Sequence, residues 1–481
     1  MDQIKALSRQ PKRAKIFLIA IVAAIGGFIF GYDVSMMSGA ILFLEKSFHL
    51  TAAQKGFAMT SAGYGVLIGL LLAGTLSDRL GRRTCVFLAA LLFGVSAIGT
   101  ALPKTLLWWN LFRIVGGVGG GIALVVSPMY ISELSPARIR GRMVLMFQIA
   151  IVLAILGASV VAYYLSPVRA QWRWMFASEL PPILIMAVCL WFIPESPRWL
   201  LQKGMVSEAK GILVSFEGEE AADKEVTAIR DSIGAETGKL SELFAPGMRI
   251  ALLVAVALAV FQQTTGASTL LFYAPTIFKS VASMKSQAVH HMSLVAQNQA
   301  ALKQAIVVYI CLVLFTLLAV AVVDKLGRRP MLLFGAIAMA VGQVLMGILF
   351  HLSLPLSSPV HLLGLSLKIP YALVFVVVAV IAYTVSFAPL AWLVMAEIFP
   401  TRIRARAMAV ATFMLQIAAQ VASGLFPAVS KYSKDRFGSE GPTFWLFAAI
   451  CVIAFFFCLK FVPETKGRTL EEISSSWLKK G

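Results

Sequence analysis

The sequence predicts an all-α membrane protein with twelve spanning helices arranged as two six-helix repeats. Three observations carry that prediction. Of 481 residues, 59% are hydrophobic and only 14% are charged, too little charge to cover the surface of a soluble chain of this length. Twelve apolar runs each approach the 20 or so residues that a helix needs to cross the hydrocarbon core. Finally, three loop motifs of the first half recur, in order, in the second.

The runs lie near 16–43, 58–76, 84–103, 106–131, 143–165 and 173–193, then near 249–279, 304–323, 330–350, 371–396, 407–429 and 443–462. A backbone facing lipid must satisfy its own hydrogen bonds, so each run reads as a helix. None shows the alternation of a barrel strand. The first is too long for the apolar core of a signal peptide, and no small-residue cleavage site follows it. Residues 194–248 break the rhythm. They are polar, hold the acidic cluster "EGEEAADKE" at 217–225 and predict short cytoplasmic helices. The expected organisation is a six-helix bundle over 1–193, a helical linker over 194–248, and a second bundle with a short tail over 249–481. A long external loop is expected near 280–303.

The formal charge is +19, but the basic residues are scattered over many short loops. That argues against a nucleic-acid-binding stripe. Lys5, Arg9, Lys12, Arg13 and Lys15, then Arg79, Arg82 and Arg83, then Arg138, Arg140 and Arg142 all fall on one side of the membrane. Lys325, Arg328, Arg329, Arg402, Arg404 and Arg406 follow on the same side. Positive loops are retained in the cytoplasm, so both termini are expected there. The five cysteines (Cys85, Cys189, Cys311, Cys451, Cys458) lie in or beside apolar runs without a CxxC and read as packing residues. No metal-ligand spacing and no nucleophile–base constellation occurs. Neither an enzyme nor a cofactor or metal site is expected.

The repeats are specific. "DRLGRR" at 78–83 returns as "DKLGRR" at 324–329, each after the second span of its half. "ELSPARIRGRMV" at 133–144 returns as "EIFPTRIRARAM" at 397–408, each after the fourth. "PESPRWL" at 194–200 and "PETKGRT" at 463–469 both follow the sixth. Repeated halves with a site at the midplane are the architecture of alternating-access transporters. A basic loop by itself can be topology alone. Together, Asp78, Arg79, Arg82, Glu133 and Arg140, with Asp324, Arg328, Glu397 and Arg404, read as an ionic lock on the cytoplasmic face.

Asp33 raises a different question. It stands in the middle of the first span, in "GGFIFGYDVSMMSGA" at 26–40, where a carboxylate costs roughly 2.5–3.5 kcal/mol on insertion scales. Gly26, Gly27 and Gly31 would let another helix come close, and Arg113 in the fourth span is an available partner. Two readings stand: a static Asp33–Arg113 bridge between helices, or a proton site whose charge changes as the pair separates.

In "GYD", "DRLGRR", "RIVGGVGGG", "SPMYISELSPARIRG", "PESPRWL", "FQQTTG", "DKLGRR", "EIFPTRIRARAMA" and "VPETKGRTLEEI" the chain resembles the sugar porter family of the major facilitator superfamily over nearly its whole length. The resemblance implies the major facilitator fold in a bacterial cell membrane. It also implies proton-coupled uptake of a pentose, hexose or polyol by a monomer; facilitated diffusion and, less in keeping with the motifs, export of amphiphiles are the alternatives. It carries over Phe30, Gln148, Gln262, Gln263, Ser268, Tyr273 and Trp392 as substrate residues, and its proton symporters carry Asp at position 33. Amides can donate and accept at adjacent hydroxyls, and an aromatic face suits a sugar's C–H surface; Gln262 and Gln263 could instead be interhelical glue. The chain departs from the family at Ser268, usually Asn, and at Phe272–Tyr273, usually Tyr–Tyr. It also departs at Leu312 and Leu415, where polar residues are common.

Overall fold

The computed structural model describes residues 12–135, 140–235, 240–246, 248–283, 293–352, 357–362 and 365–466. The first half runs α1 (Lys12–Phe48), α2 (Ala52–Leu80), α3 (Arg82–Ala101), α4 (Leu106–Leu134), α5 (Arg140–Leu165), α6 (Gln171–Ala177) and α7 (Leu180–Trp191). The polar stretch forms α8 (Pro197–Gln202), α9 (Val206–Glu217), α10 (Glu219–Ala235) and a 3-10 turn, Leu240–Phe244. The second half runs α11 (Met248–Thr264), α12 (Ala267–Ser283), α13 (Leu294–Leu326), α14 (Arg328–His351), a hairpin β1 (Ser357–Leu362) and β2 (Leu365–Pro370), α15 (Tyr371–Val385), α16 (Phe387–Glu397), α17 (Thr401–Phe437) and α18 (Gly441–Phe461). Among the described residues twelve helical stretches are long and apolar enough to span a membrane, and each matches one of the twelve apolar runs.

Two details depart from the sequence reading. The eighth span starts at Leu294, inside the stretch expected to be loop, because Ser293 caps it: its Oγ accepts from the Ala296 N–H at 3.3 Å. The antiparallel hairpin, which pairs from Ser357↔Pro370 to Leu362↔Leu365, is an addition to the expected all-helical fold.

The chain forms two compact units whose border runs through α1, α2 and α5. The first comprises Met1–Met36, Ser61–Ala158 and Trp172–Thr237; the second comprises Met37–Thr60, Ser159–Gln171 and Gly238–Gly481. The first has a core of Phe93, Ile122, Tyr130 and Ile183, onto which the linker helices add Leu200, Ile212 and Phe216. Its tightest joint is a double glycine crossing. Gly65 and Gly69 of α2 face Gly117 and Gly121 of α4, both pairs at i, i+4. A Cβ on Gly117 would stand 1.8 Å from the Ala62 carbonyl oxygen, and one on Gly65 would stand 2.0 Å from that of Ile114. The helix backbones therefore touch, as small-residue motifs allow.

The second unit gathers the ends of α1 and α2 that lie farthest from the arginine motifs. There Ser38 Oγ and Tyr309 Oη are 3.2 Å apart, and Lys55 Nζ donates to Glu45 at 2.7 Å. Two of its spans are broken. The seventh breaks at Thr265–Gly266, where Gly266 has φ +88°. The tenth breaks at Ser386; Pro389, three residues on, has no N–H to continue the helix ladder.

Candidate functional site

In the first unit, Arg113 of α4 donates Nη1 to Asp33 of α1. Both are buried, with side-chain exposures of 2% and 7%. Glycines make the meeting possible: a Cβ at Gly26 would strike Ser127 of α4, and at Gly31 the Ile151 backbone of α5. Trp109 and Phe176 lie beside the guanidinium, their centroids 5.9 and 5.4 Å from its carbon. A third charged group completes the cluster. Glu179, at the junction of α6 and α7, is 1% exposed; its carboxyl lies close to Asp33 and to the Arg113 charge. Its Oε1 has no hydrogen-bond partner among the described residues. Next to it Ser178 Oγ lies 2.9 Å from Tyr32 Oη. Two carboxylates against one guanidinium leave the cluster one negative charge in excess.

The Arg113 partnership was legible in the sequence; Glu179 was missed. The signal was the same as for Asp33, an acid inside an apolar run ("ASELPP").

The carried-over substrate residues have different surroundings. In the first unit, Phe30 is half-buried and its ring rests on Gly120, while Gln148 of α5 is exposed. In the second unit, Gln262 is buried and its Nε2 donates to the carbonyls of Phe387 and Ala388 at 3.2 and 2.9 Å. It thus holds the break in the tenth span. Its Oε1 has no partner among the described residues. Gln263 is half-buried, Ser268 bonds the Tyr383 hydroxyl, and Trp392 is 38% exposed. Tyr273 is fully buried: its hydroxyl donates to the Ser423 carbonyl at 2.9 Å, and its ring packs on Phe426. Leu312 and Leu415, at the two departures, are 6% and 7% exposed. Their side chains fill interior space, and Leu415 belongs to the unit's apolar core.

The arginine motifs build the same cluster twice, once in each unit. In the first, Arg82 forks onto Glu133, with Nε and Nη2 at 3.0 and 3.2 Å, and reaches Asp78 at 3.3 Å. Ser196 donates its hydroxyl to the same Glu133. Glu195 caps α3, accepting from the N–H groups of Arg82 and Arg83 at 2.9 and 3.0 Å. In the second, Arg328 donates to Glu397 at 3.1 Å, Thr465 donates to Glu397, and Glu464 accepts from the N–H groups of Arg328 and Arg329 at 3.0 and 3.1 Å. Gly81 and Gly327 have φ +93° and +88°, and a Cβ there would meet Glu195 and Glu464 at 2.3 and 2.9 Å. Burial pushes the Glu464 carboxyl up, but N–H donors from Lys466, Arg328, Arg329 and Thr465 together hold it below the usual carboxylate range.

Thus Arg82 and Arg328 are the partners of Glu133 and Glu397. Arg404 instead turns to the Phe399 carbonyl, 3.3 Å away. Arg79 is exposed. The side chains of Arg140 and Asp324 lie outside the described residues. The capping acids Glu195 and Glu464, and the hydroxyls of Ser196 and Thr465, stood inside quoted motifs but had been given no role.

The sequence model of the family described as "Sugar (and other) transporter" matches residues 19–477. The chain belongs to that family. Members of the sugar transporter family similar to it include the D-xylose-proton symporter of Escherichia coli (strain K12), 34% identical over 98% of this chain and 97% of the relative. The arabinose-proton symporter of Bacillus subtilis (strain 168) is 35% identical over the same shares. Among solved structures, the inward open conformation of the xylose transporter XylE from E. coli superposes with a TM-score of 0.79 at 33% identity, covering 96% of this chain and all of that one. XylE bound to 6-bromo-6-deoxy-D-glucose gives 0.75 at 34%, covering 97% and 100%. This sugar transporter family member therefore has the major facilitator fold and is a multi-pass membrane protein.

Proposed function

We propose that the protein carries a monosaccharide or polyol into the cell together with a proton, by alternating access, and that it is not an enzyme. The observation that carries the coupling is the buried cluster Asp33–Glu179–Arg113, with one acid more than its cation can balance. Burying an uncompensated charge is costly, so the cluster takes up a proton in one state and releases it where an acid gains water. Phe30, Gln148, Gln263, Trp392 and the free Oε1 of Gln262 contact the solute; the xylose and arabinose symporters support a pentose or hexose as its class. Ser268 and Tyr273 shape the site through Tyr383 and the Ser423 carbonyl.

The functional halves are 1–193 and 249–481, joined by 194–248. Both termini face the cytoplasm of a bacterial inner membrane, and the chain works as a monomer in the bilayer. The two arginine clusters are the cytoplasmic lock, each opening in one state of the cycle.

The test is solute uptake in proteoliposomes under an imposed pH gradient, with a panel of pentoses, hexoses and inositols. Asp33→Asn should abolish accumulation against a gradient while sparing downhill flux. An Asn variant that still concentrates solute would remove Asp33 from coupling, and parent flux indifferent to the pH gradient would make the protein a uniporter.

A further inference from the structure

The second unit contains a cavity of about 290 Å³ at the end opposite the arginine motifs, lined by none of the carried-over substrate residues. That volume lies at the lower end of the range for small-molecule sites, about 300 Å³ and upward. Its walls come from the last turns of α1 (Leu42, Lys46, Ser47), from Gln171 at the start of α6, and from the first turn of α13 (Val295, Asn298). Asn298 is fully buried, and neither its Oδ1 nor its Nδ2 has a hydrogen-bond partner among the described residues. A buried amide with all its bonds unmade is expensive, and native structures rarely tolerate one without a ligand or water. Ala170, next to Gln171, holds φ +58°, a conformation that non-glycine residues adopt at a cost and that gathers at binding sites.

The surroundings state the charge of the occupant. Lys46, exposed, stands at the mouth. Lys46, Lys55 and Glu45 all act electrostatically on Lys279, and Glu45 is engaged by Lys55 at 2.7 Å. Lys46, Lys55 and Lys279 thus lie within electrostatic reach of one another, and Glu45 among them is taken up by Lys55. The cavity also abuts the N-terminal turn of the 33-residue α13, whose free N–H groups and dipole favour an anion.

We propose that this cavity binds a small polyhydroxylated carboxylate, such as an aldonate. The carboxylate sits between Lys46 and the start of α13, and the amides of Asn298 and Gln171 take the hydroxyls. Such a ligand ties α1 to α13. On the reading of the protein as an alternating-access transporter, it binds from outside and holds these two helix ends together. It thereby slows the cycle by favouring one state in proportion to its occupancy.

The test is calorimetric titration of D-gluconate into the full-length protein in lipid nanodiscs, with and without saturating D-xylose. Saturable binding that survives D-xylose is expected, weakened at least tenfold by Asn298→Leu and by Lys46→Gln. No binding, displacement by D-xylose, or wild-type binding in both variants overturns the site. If Asn298→Leu fails to fold, the exposed Lys46→Gln decides alone. In proteoliposomes, external D-gluconate should lower the initial uptake rate of the wild type and not that of Lys46→Gln. Binding without an effect on rate refutes the clamp. A protein that moves no sugar at all refutes the transport reading and leaves the titration to judge the site.

Discussion

Glu133→Gln tests whether the repeated arginine clusters, one inside each unit, contribute unequally to stability. Arg82 and Glu133 are 4% and 8% exposed at their side chains, and the fork uses two N–H groups. Gln keeps the shape but removes the charge and puts an NH₂ against guanidinium donors. Asp78 remains at 3.3 Å, but it is 69% exposed, and an exposed i,i+4 pair returns only about 0.3–0.5 kcal/mol. Breaking a buried pair from one side costs about 3–5 kcal/mol, so the loss should be about 3 kcal/mol. The second-unit pair, Arg328–Glu397, is 11% and 20% exposed. Water compensates more there, and Glu397→Gln should cost about 1–2 kcal/mol. The assay is denaturant unfolding in detergent micelles, with the cycle Arg82→Met, Glu133→Leu and the double variant. Glu397→Gln proving the more harmful, or additivity of Arg82→Met and Glu133→Leu, would refute the reasoning.

Glu179→Gln leaves Asp33 and Arg113 as a neutral pair with no need of a proton, so it should abolish gradient-driven accumulation and keep counterflow; accumulation equal to wild type would count against the shared-proton cluster. Gln262→Ala should reduce apparent solute affinity, since it removes Oε1 and the two bonds of Nε2 to the Phe387 and Ala388 carbonyls, each worth about 0.5–1.5 kcal/mol; an unchanged half-saturation concentration takes Gln262 out of the site. Gly117→Leu, driven into a backbone oxygen that a Cβ alone would meet at 1.8 Å, should give little folded protein by size-exclusion fluorescence, whereas Gly157→Ala, with nothing within 4 Å, should behave as wild type. Because the Glu464 carboxyl is held low, its contribution to stability is present above the unfolded value of about 4.3 and is lost as pH falls through the folded value. Glu464→Gln should therefore unfold at lower denaturant than wild type at pH 7, and the gap should begin to narrow below about pH 4.3 and close only beneath the folded value.

Length and periodicity decide a membrane helix, so the spans were legible one by one. The repeat of "DRLGRR" and "PES" fragments was legible too, because it is a comparison of the chain with itself. What escaped was anything set by a partner distant in sequence. Nothing near Glu179 says that Asp33 will lie against it, and nothing near Glu195 says that its carboxylate will cap a helix beginning more than a hundred residues earlier. Within the lock, chain order does not say which arginine takes Glu133; in space the fork of Arg82 reaches it. The hairpin at 357–370 was hidden for another reason: its two strands pair with each other over only a few residues, too short a stretch for periodicity to mark. Leu312 and Leu415 read as losses from a binding site when aligned, but burial makes them packing residues.

The glycine crossing has a mechanical consequence. Where α2 and α4 touch backbone to backbone at Gly65, Gly69, Gly117 and Gly121, there is no side-chain layer to shear, and sliding by even one residue would drive a Cβ into a carbonyl oxygen. The two helices form one stiff plank. Strain applied to the molecule has to be relieved elsewhere, at joints whose ladder is already interrupted: Thr265–Gly266 and Ser386. At those joints side chains bond backbone carbonyls, those of Gln343 and Cys451 at Thr265 and Gln262 at Phe387 and Ala388, and a side chain can follow a moving partner by changing rotamer. Stiffness in one unit and compliance in the other are thus written in residue size.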